Sequence, residues 1–432
     1  MNKRSWYPLD NAATIYPVTQ ARDWTSMYRF TAVLRDEVDK EKLQQALEHL
    51  RPRFAGFFVR LARGAFWYYL EAVEGAVPVA DDMRFICRKP EPHEPLFRVC
   101  HYLNRISLEM SHIIADGGGA LIFFKTLLAQ YLRETGTAVP YSGEIWDGTQ
   151  PGSPEEWEDA LSRYTRPGRR PRRREAYAYH PTGTPVYRNE RLVITGTLRV
   201  SALLEVARAH KVSITEYLTA TLMYVLYRMQ LSERPKGKLQ PVKVSVPVNL
   251  RKYYPTRTLR NFSQYLNPGI DPGLGEFTFE ETLAQVHHYF RFMFTEKNLN
   301  ARMSQNVDAQ RNIVLRVVPL FVKKAALRLV SELVGERVFS TVISNLGAVE
   351  LPEEMQPYVQ RVDLLLCTAR RNAVECGVAS YGDTMSISFT RHIAEPYVER
   401  MFFTALVQRG LHVLVETNED QPETGSDDGY SA

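Results

Sequence analysis

The 432-residue chain reads as a mixed α/β protein made of two halves joined by an irregular crossover. Three observations predict this. Strand-like alternation and helix-like periodicity recur in both halves. The stretch 136–190, rich in Pro, Gly, Ser and Arg, breaks both patterns and marks an inter-domain crossover. With 44% apolar, 24% charged and 11% aromatic residues, the chain can fill packed cores, and disorder, collagen-like repeats and a small disulfide-stapled fold are excluded. At roughly 150 residues per domain the length fits two or three domains.

In the first half, Leu43, Ala46, Leu47 and Leu50 lie at helical spacing after Asp39, a residue type that caps helix N-termini. Gly56 to Leu70 is rich in Phe, Val, Trp and Tyr around a glycine and predicts a hairpin. Phe97 to Ile114 predicts two strands around Asn104, with Ile106, Leu108, Met110, His112 and Ile114 on one face of the second. An apolar-rich helix follows over Ala120 to Leu132.

In the second half, Ser213-x-x-Glu216 is a capping-box pattern before a helix through Met229. Val242, Val244, Val246, Val248 and Leu250 alternate with polar residues in a strand that tolerates Pro247. Thr278-x-x-Glu281 opens a helix carrying Tyr289, Phe290, Phe292 and Phe294, most simply core residues, with an acyl-chain pocket as the alternative. Strands are expected over Val338 to Ile343 and Met385 to Phe389, and a last long helix over Glu395 to Val413. The expected division is a first domain over 1–150, a basic linker over 151–190, a second domain over 191–416 and a disordered acidic tail over 417–432.

The net charge of +5 is unevenly placed: Arg163, Arg166, Arg169, Arg170, Arg172, Arg173 and Arg174 crowd one segment, and without them the chain is slightly acidic. Such a segment either attracts a phosphorylated or otherwise anionic partner or is a solvated linker. No stacking aromatics sit among the arginines and no zinc-finger or RNP-type motif accompanies them, so nucleic acid is not an expected partner. Cys87, Cys100, Cys367 and Cys376 have neither a disulfide framework nor metal-ligand spacing, and no metal is expected. No apolar run is long enough to cross a membrane, and the N-terminus lacks a signal peptide's apolar core; the expectation is a reduced, soluble, cytoplasmic protein.

The chemistry points to Ser111-His112-Ile113-Ile114-Ala115-Asp116-Gly117-Gly118-Gly119. A histidine ends an apolar-faced strand, an aspartate follows four residues later, and three glycines precede a helix. A base at a strand end is well placed to face a cleft, and its near-neutral pKa lets it take a proton from a hydroxyl or amine. The glycines would permit positive φ and a close approach of substrate to backbone. No Gly-Lys-Ser/Thr follows, so this is not a phosphate loop, and Gly-x-Ser-x-Gly is absent.

His112-x-x-x-Asp116-Gly117 resembles the active-site signature of the CoA-dependent acyltransferase superfamily, which includes chloramphenicol acetyltransferase, plant hydroxyl-acyltransferases, wax-ester synthases and peptide-synthetase condensation domains. Tyr7-Pro8-Leu9-Asp10-Asn11-Ala12-Ala13 through Phe66-Trp67-Tyr68-Tyr69-Leu70, with Arg53-Phe54 between, is similar to the bacterial alcohol acetyltransferase-like branch. So are Val246-Pro247-Val248-Asn249-Leu250-Arg251 and Asn261-Phe262, while Ser344-Asn345-Leu346-Gly347 resembles a late Ser-Asn block. The resemblance spans most of residues 1–415.

It implies two chloramphenicol-acetyltransferase-like subdomains, each a mixed sheet flanked by helices, with an active-site tunnel between them. The implied reaction moves an acyl group, acetyl by default, from acyl-CoA to a hydroxyl or amine of a small acceptor. Acyl-CoA is then a co-substrate, and no tightly bound cofactor is implied. His112 would be the general base, Asp116 would hold its loop, and Gly117 would allow the turn. Asn345 would lie near the acyl group as a candidate oxyanion donor; Arg251 would anchor loops or, with Ser344, contact substrate or CoA. Ser111 stands where condensation domains carry a first histidine, and the Asp-Phe-Gly-Trp-Gly box of plant relatives is missing, with no substitute at Glu375-Cys376-Gly377 or Tyr381-Gly382-Asp383. Two alternatives remain: a donor on an acyl carrier protein, and a non-catalytic binding protein of the same fold.

Overall fold

The computed structural model describes residues 6–20, 24–82, 86–165, 176–187, 190–234, 237–311, 318–330, 335–369 and 371–419. The chain runs β1 (Trp6–Pro8), α1 (Tyr16–Thr19), β2 (Met27–Leu34), α2 (Lys40–His49), β3 (Val59–Arg63), β4 (Tyr68–Ala72), β5 (Ala80–Asp81), β6 (Phe97–Tyr102), β7 (Arg105–Ser111), α3 (Gly117–Glu134) and α4 (Ala160–Tyr164). There follow β8 (Leu192–Arg199), α5 (Val200–Ala209), α6 (Ile214–Glu233), β9 (Val242–Asn249), β10 (Ser263–Leu266), β11 (Gly269–Ile270), α7 (Phe279–Met293), α8 (Glu296–Arg311) and α9 (Leu320–Val330). The last elements are β12 (Thr341–Ala348), β13 (Val359–Leu366), β14 (Val374–Tyr381), β15 (Thr384–Arg391), α10 (Tyr397–Val407) and β16 (Leu414–Thr417).

The first lobe is a sheet of order β13-β2-β7-β6-β5 with α2 and α3 packed on it, and a hairpin extension β1-β4-β3. Asp39 caps α2 as its residue type predicts, accepting from the backbone N–H of Glu41 and Lys42. Leu43, Ala46 and Leu47 then turn inward on Phe30, Leu108 and Phe123 in one core. Strand β7 buries both of its faces. Ile106, Leu108 and Met110 enter the core, while Glu109 on the other face, fully buried, is held by Arg29 at 3.2 Å and Arg98 at 2.6 Å. Two arginines around one carboxylate are what make that burial tolerable.

The second lobe is a sheet of order β10-β9-β12-β14-β15-β8-β16, with β11 on β9. Helices α5, α6, α7 and α10 cover one face through Leu203, Leu222, Phe290 and Phe402. Both capping boxes read in the sequence are formed, at α6 and α7. The two mixed sheets with flanking helices make this an α/β fold.

The sheets do not divide where the chain does. Strand β13, from the expected second domain, leaves its neighbours and pairs antiparallel with β2 in the first sheet. Its Val362 and Leu364 complete the first core, and Gly377 of β14 makes room for it: a Cβ there would lie 2.2 Å from the Leu364 carbonyl oxygen.

Other boundaries also shift. The strand expected over 338–343 is β12, which begins at Thr341 and carries Ser344 to Gly347 within it. The last helix stops at Val407; Gly410, at φ +81°, turns the chain before β16. In the aromatic run only Phe290 is buried core, and Phe292 is exposed. Arg163 lies in α4 and pairs with Glu158 at 2.9 Å; the other six clustered arginines fall outside the described residues. Of the acidic tail, Thr417 belongs to β16 and Glu419 accepts a hydrogen bond from Arg391; residues 420–432 also fall outside. Among the described residues no helix is long and apolar enough to cross a membrane.

Candidate active site

Strand β7 delivers the chain to a turn between the lobes, and Asp116 organises that turn. Its Oδ1 accepts the Gly119 N–H at 3.1 Å as the N-cap of α3. Its Oδ2 accepts from the second-lobe segment after β9: the Phe262 N–H at 2.7 Å and Arg251 Nη1 at 2.9 Å. Arg251 also donates to the carbonyls of Thr258 and Arg260. With its donors on these groups, Arg251 anchors loops, and it is not among the residues lining the cavity between the lobes.

The glycines have a different purpose from the one their sequence suggests. None of Gly117, Gly118 and Gly119 has positive φ; together they form the first turn of α3. The tight position is Gly119, where a Cβ would lie 1.9 Å from the Leu259 carbonyl oxygen. At Gly117 a Cβ would meet Leu346 at 3.5 Å and Phe30 at 4.0 Å, ordinary contacts that impose no steric need for glycine.

His112 is fixed through its backbone. Its N–H donates to the Ser26 carbonyl at 2.8 Å, and its carbonyl accepts from Asn261 Nδ2 at 2.9 Å. The Asn261 amide also donates to Asp10 Oδ2 at 3.0 Å, and Asp10 accepts from Ala13 N–H and faces Arg260 at 3.4 Å. Three segments far apart in sequence thus meet at the histidine. The imidazole lies between Tyr16, stacked at 5.4 Å between ring centres, and Tyr28 at 4.5 Å. Nδ1 is buried, and the Asn261 side chain lies within hydrogen-bonding range of the ring. Burial pushes the His112 pKa down to about 4, against the opposing pull of the Asp116 charge, so the ring is neutral at pH 7.

The ring lines a cavity of about 1030 Å³ between the two sheets. Tyr16, Trp24 and Tyr28 bound it from the first lobe; Ser245, Tyr265, Ser344 and Asn345 bound it from the second. The structure therefore brings His112, Asp116, Gly117, Ser344 and Asn345 to one cavity. Asn345 is partly committed: its Oδ1 accepts the Gly347 N–H at 2.8 Å and its Nδ2 donates to Thr215 Oγ1 at 3.0 Å. Those bonds hold the kink where β12 loses register and Gly347 adopts φ +79°.

Sequence reasoning missed Tyr16, Tyr28 and Tyr265, whose hydroxyl is hydrogen-bonded to that of Tyr16. It also missed Glu375, which lines the cavity and whose pKa is pushed up to about 8 by burial. Asp10 and Asn261 stood inside segments already singled out, but nothing in one sequence says that they touch.

No protein-family model and no curated protein sequence matches the chain. Solved structures do. TRI101 of F. sporotrichioides, complexed with coenzyme A and T-2, superposes with TM-score 0.62 at 10% identity, over 95% of this chain and 99% of that one. Polyketide synthase associated protein 5 of Mycobacterium tuberculosis gives TM-score 0.60 at 15% identity, over 92% and 96%. The starter condensation domain of rhizomide synthetase RzmA, in complex with C8-CoA and Leu-SNAC, gives 0.56 at 15%, over 93% and 95%. The fold is that of the CoA-dependent acyltransferases and condensation domains.

Proposed function

We propose that this chain, built on that fold, is an acyltransferase that moves an acyl group from acyl-CoA to a hydroxyl or amine of a small acceptor, with His112 as general base. The observation that carries the reading is the His112 ring: neutral at pH 7, clamped between two tyrosines, and facing a cavity walled by both lobes.

The chemistry needs little more. A thioester is already activated, so the protein has to place nucleophile, base and carbonyl together. The acceptor gives its proton to His112 Nε2 as its oxygen or nitrogen bonds to the carbonyl carbon. The tetrahedral oxyanion collapses, the C–S bond breaks, and the departing thiolate takes the proton back from the imidazolium. The Asp116 carboxylate favours that imidazolium electrostatically while its hydrogen bonds are spent on holding the turn. Ser344 and Asn345, on the facing wall, are the polar groups proposed for the acyl side.

The solved neighbours complexed with coenzyme A and with C8-CoA support a CoA donor. The condensation-domain neighbour favours a second reading, a donor carried on an acyl carrier protein. Mass-spectrometric screening of acyl-CoAs against mixed alcohols and amines, with carrier-bound thioesters in competition, tests both. An acylated acceptor is expected; thioester hydrolysis alone, or no turnover with any donor, would contradict the reading.

A further inference from the structure

Glu375, near the start of β14, enters the same cavity as His112, where Glu336, Ala369 and Asn372 form the wall. It is 6% exposed, and one of its oxygens accepts the Ala369 N–H at 3.2 Å. Glu336 adds a second negative charge within range, and Arg191, the cation that opposes them, donates its Nη1 to the Glu190 carbonyl. An acidic wall alone would mean little. Asn372 supplies the independent observation: it lines this wall, is fully buried, and neither its Oδ1 nor its Nδ2 has a hydrogen-bond partner in bonding geometry among the described residues. Its polar neighbour is the His180 ring, within range of a weak hydrogen bond. A buried amide with no better partner has hydrogen-bonding capacity left for a ligand.

We infer that this wall is an acceptor subsite for a protonated amine, with Glu375 receiving the ammonium group and Asn372 Oδ1 a second N–H. The inference rests on the acyltransferase reading in one respect: the amine would belong to an amino alcohol whose hydroxyl reaches His112. Tyr265 links the two ends, because it bonds Tyr16, which stacks on His112, and also lies within charge range of Glu375. An acyl chain in this position would leave a carboxyl and an amide facing hydrocarbon, and an anion would meet two acidic side chains. A neutral polyol is the competitor that experiment must separate.

Titration calorimetry on the full chain would compare 4-aminobutan-1-ol with butane-1,4-diol, which differ only in the terminal group. The amino alcohol is expected to bind at least about tenfold more tightly. In Glu375→Gln that preference should vanish by weakening of the amine alone, with the diol unchanged. In Asn372→Asp, a nearly isosteric change that adds charge, the preference should grow. Equal binding of the two probes by the wild type, or an intact preference in Glu375→Gln, would overturn the subsite. The underlying reading fails separately: amine preference without acyl transfer from any donor would refute the acyltransferase and leave the subsite standing. Transfer to neutral acceptors without amine preference would refute the subsite alone.

Discussion

Asp116 Oδ2 and Arg251 Nη1 lie 2.9 Å apart, and this contact ties the histidine loop of the first lobe to the second. The carboxylate is spent on Arg251, Phe262 and Gly119, so it positions the loop and does not itself carry the proton. Asp116→Asn keeps the shape and removes the charge from a buried pair. It is expected to cost about 2–4 kcal/mol, read as a lower denaturation midpoint, together with reduced activity. An unchanged melting temperature would argue against a loop-holding role.

The glycines separate by position. Gly119→Ala forces a methyl group against the Leu259 backbone and is expected to destabilise by about 1–3 kcal/mol. Gly117→Ala has room and loses backbone freedom in the unfolded chain, so it should be neutral or stabilising by up to about 1 kcal/mol. Equal effects of the two substitutions in chemical denaturation would refute the packing explanation.

Asn261 grips the His112 carbonyl and Asp10 together. Asn261→Ala should displace the imidazole without touching the cavity wall. A fall in kcat of about 10²-fold with KM nearly unchanged is the expected outcome; a change confined to KM would assign Asn261 to substrate binding.

The pH dependence follows from burial. With the ring held at about 4, activity governed by His112 should stay level from pH 8 to about 5 and fall as the pH drops through about 4. An acid limb near the ordinary histidine value of 6.5 would show an imidazole exposed to water. The same shift makes the fold lose stability as pH falls from 6.5 towards 4, because the unfolded chain takes up its proton first.

Much of the framework was legible in the sequence because its signals are local. Asp39, Ser213 and Thr278 cap helices through residues two or three positions away, and the hairpins follow from alternation beside a turn. What escaped is long-range. Strand β2 is buried on both faces, so it shows no alternation, and the excursion of β13 into the first sheet depends on the missing side chain of Gly377. His112 and Asp116 were found because they lie four residues apart on one turn. Tyr16, Asn261, Asn372 and Glu375 reach the same cavity from distant segments, each an ordinary residue in its local context.

The most direct test is acyl transfer by His112→Ala, measured with any acyl-CoA and acceptor pair that the wild type turns over, alongside its melting temperature. Transfer should fall by about 10²–10⁴-fold or more with the fold intact. Full turnover in that variant would show that another group takes the acceptor's proton.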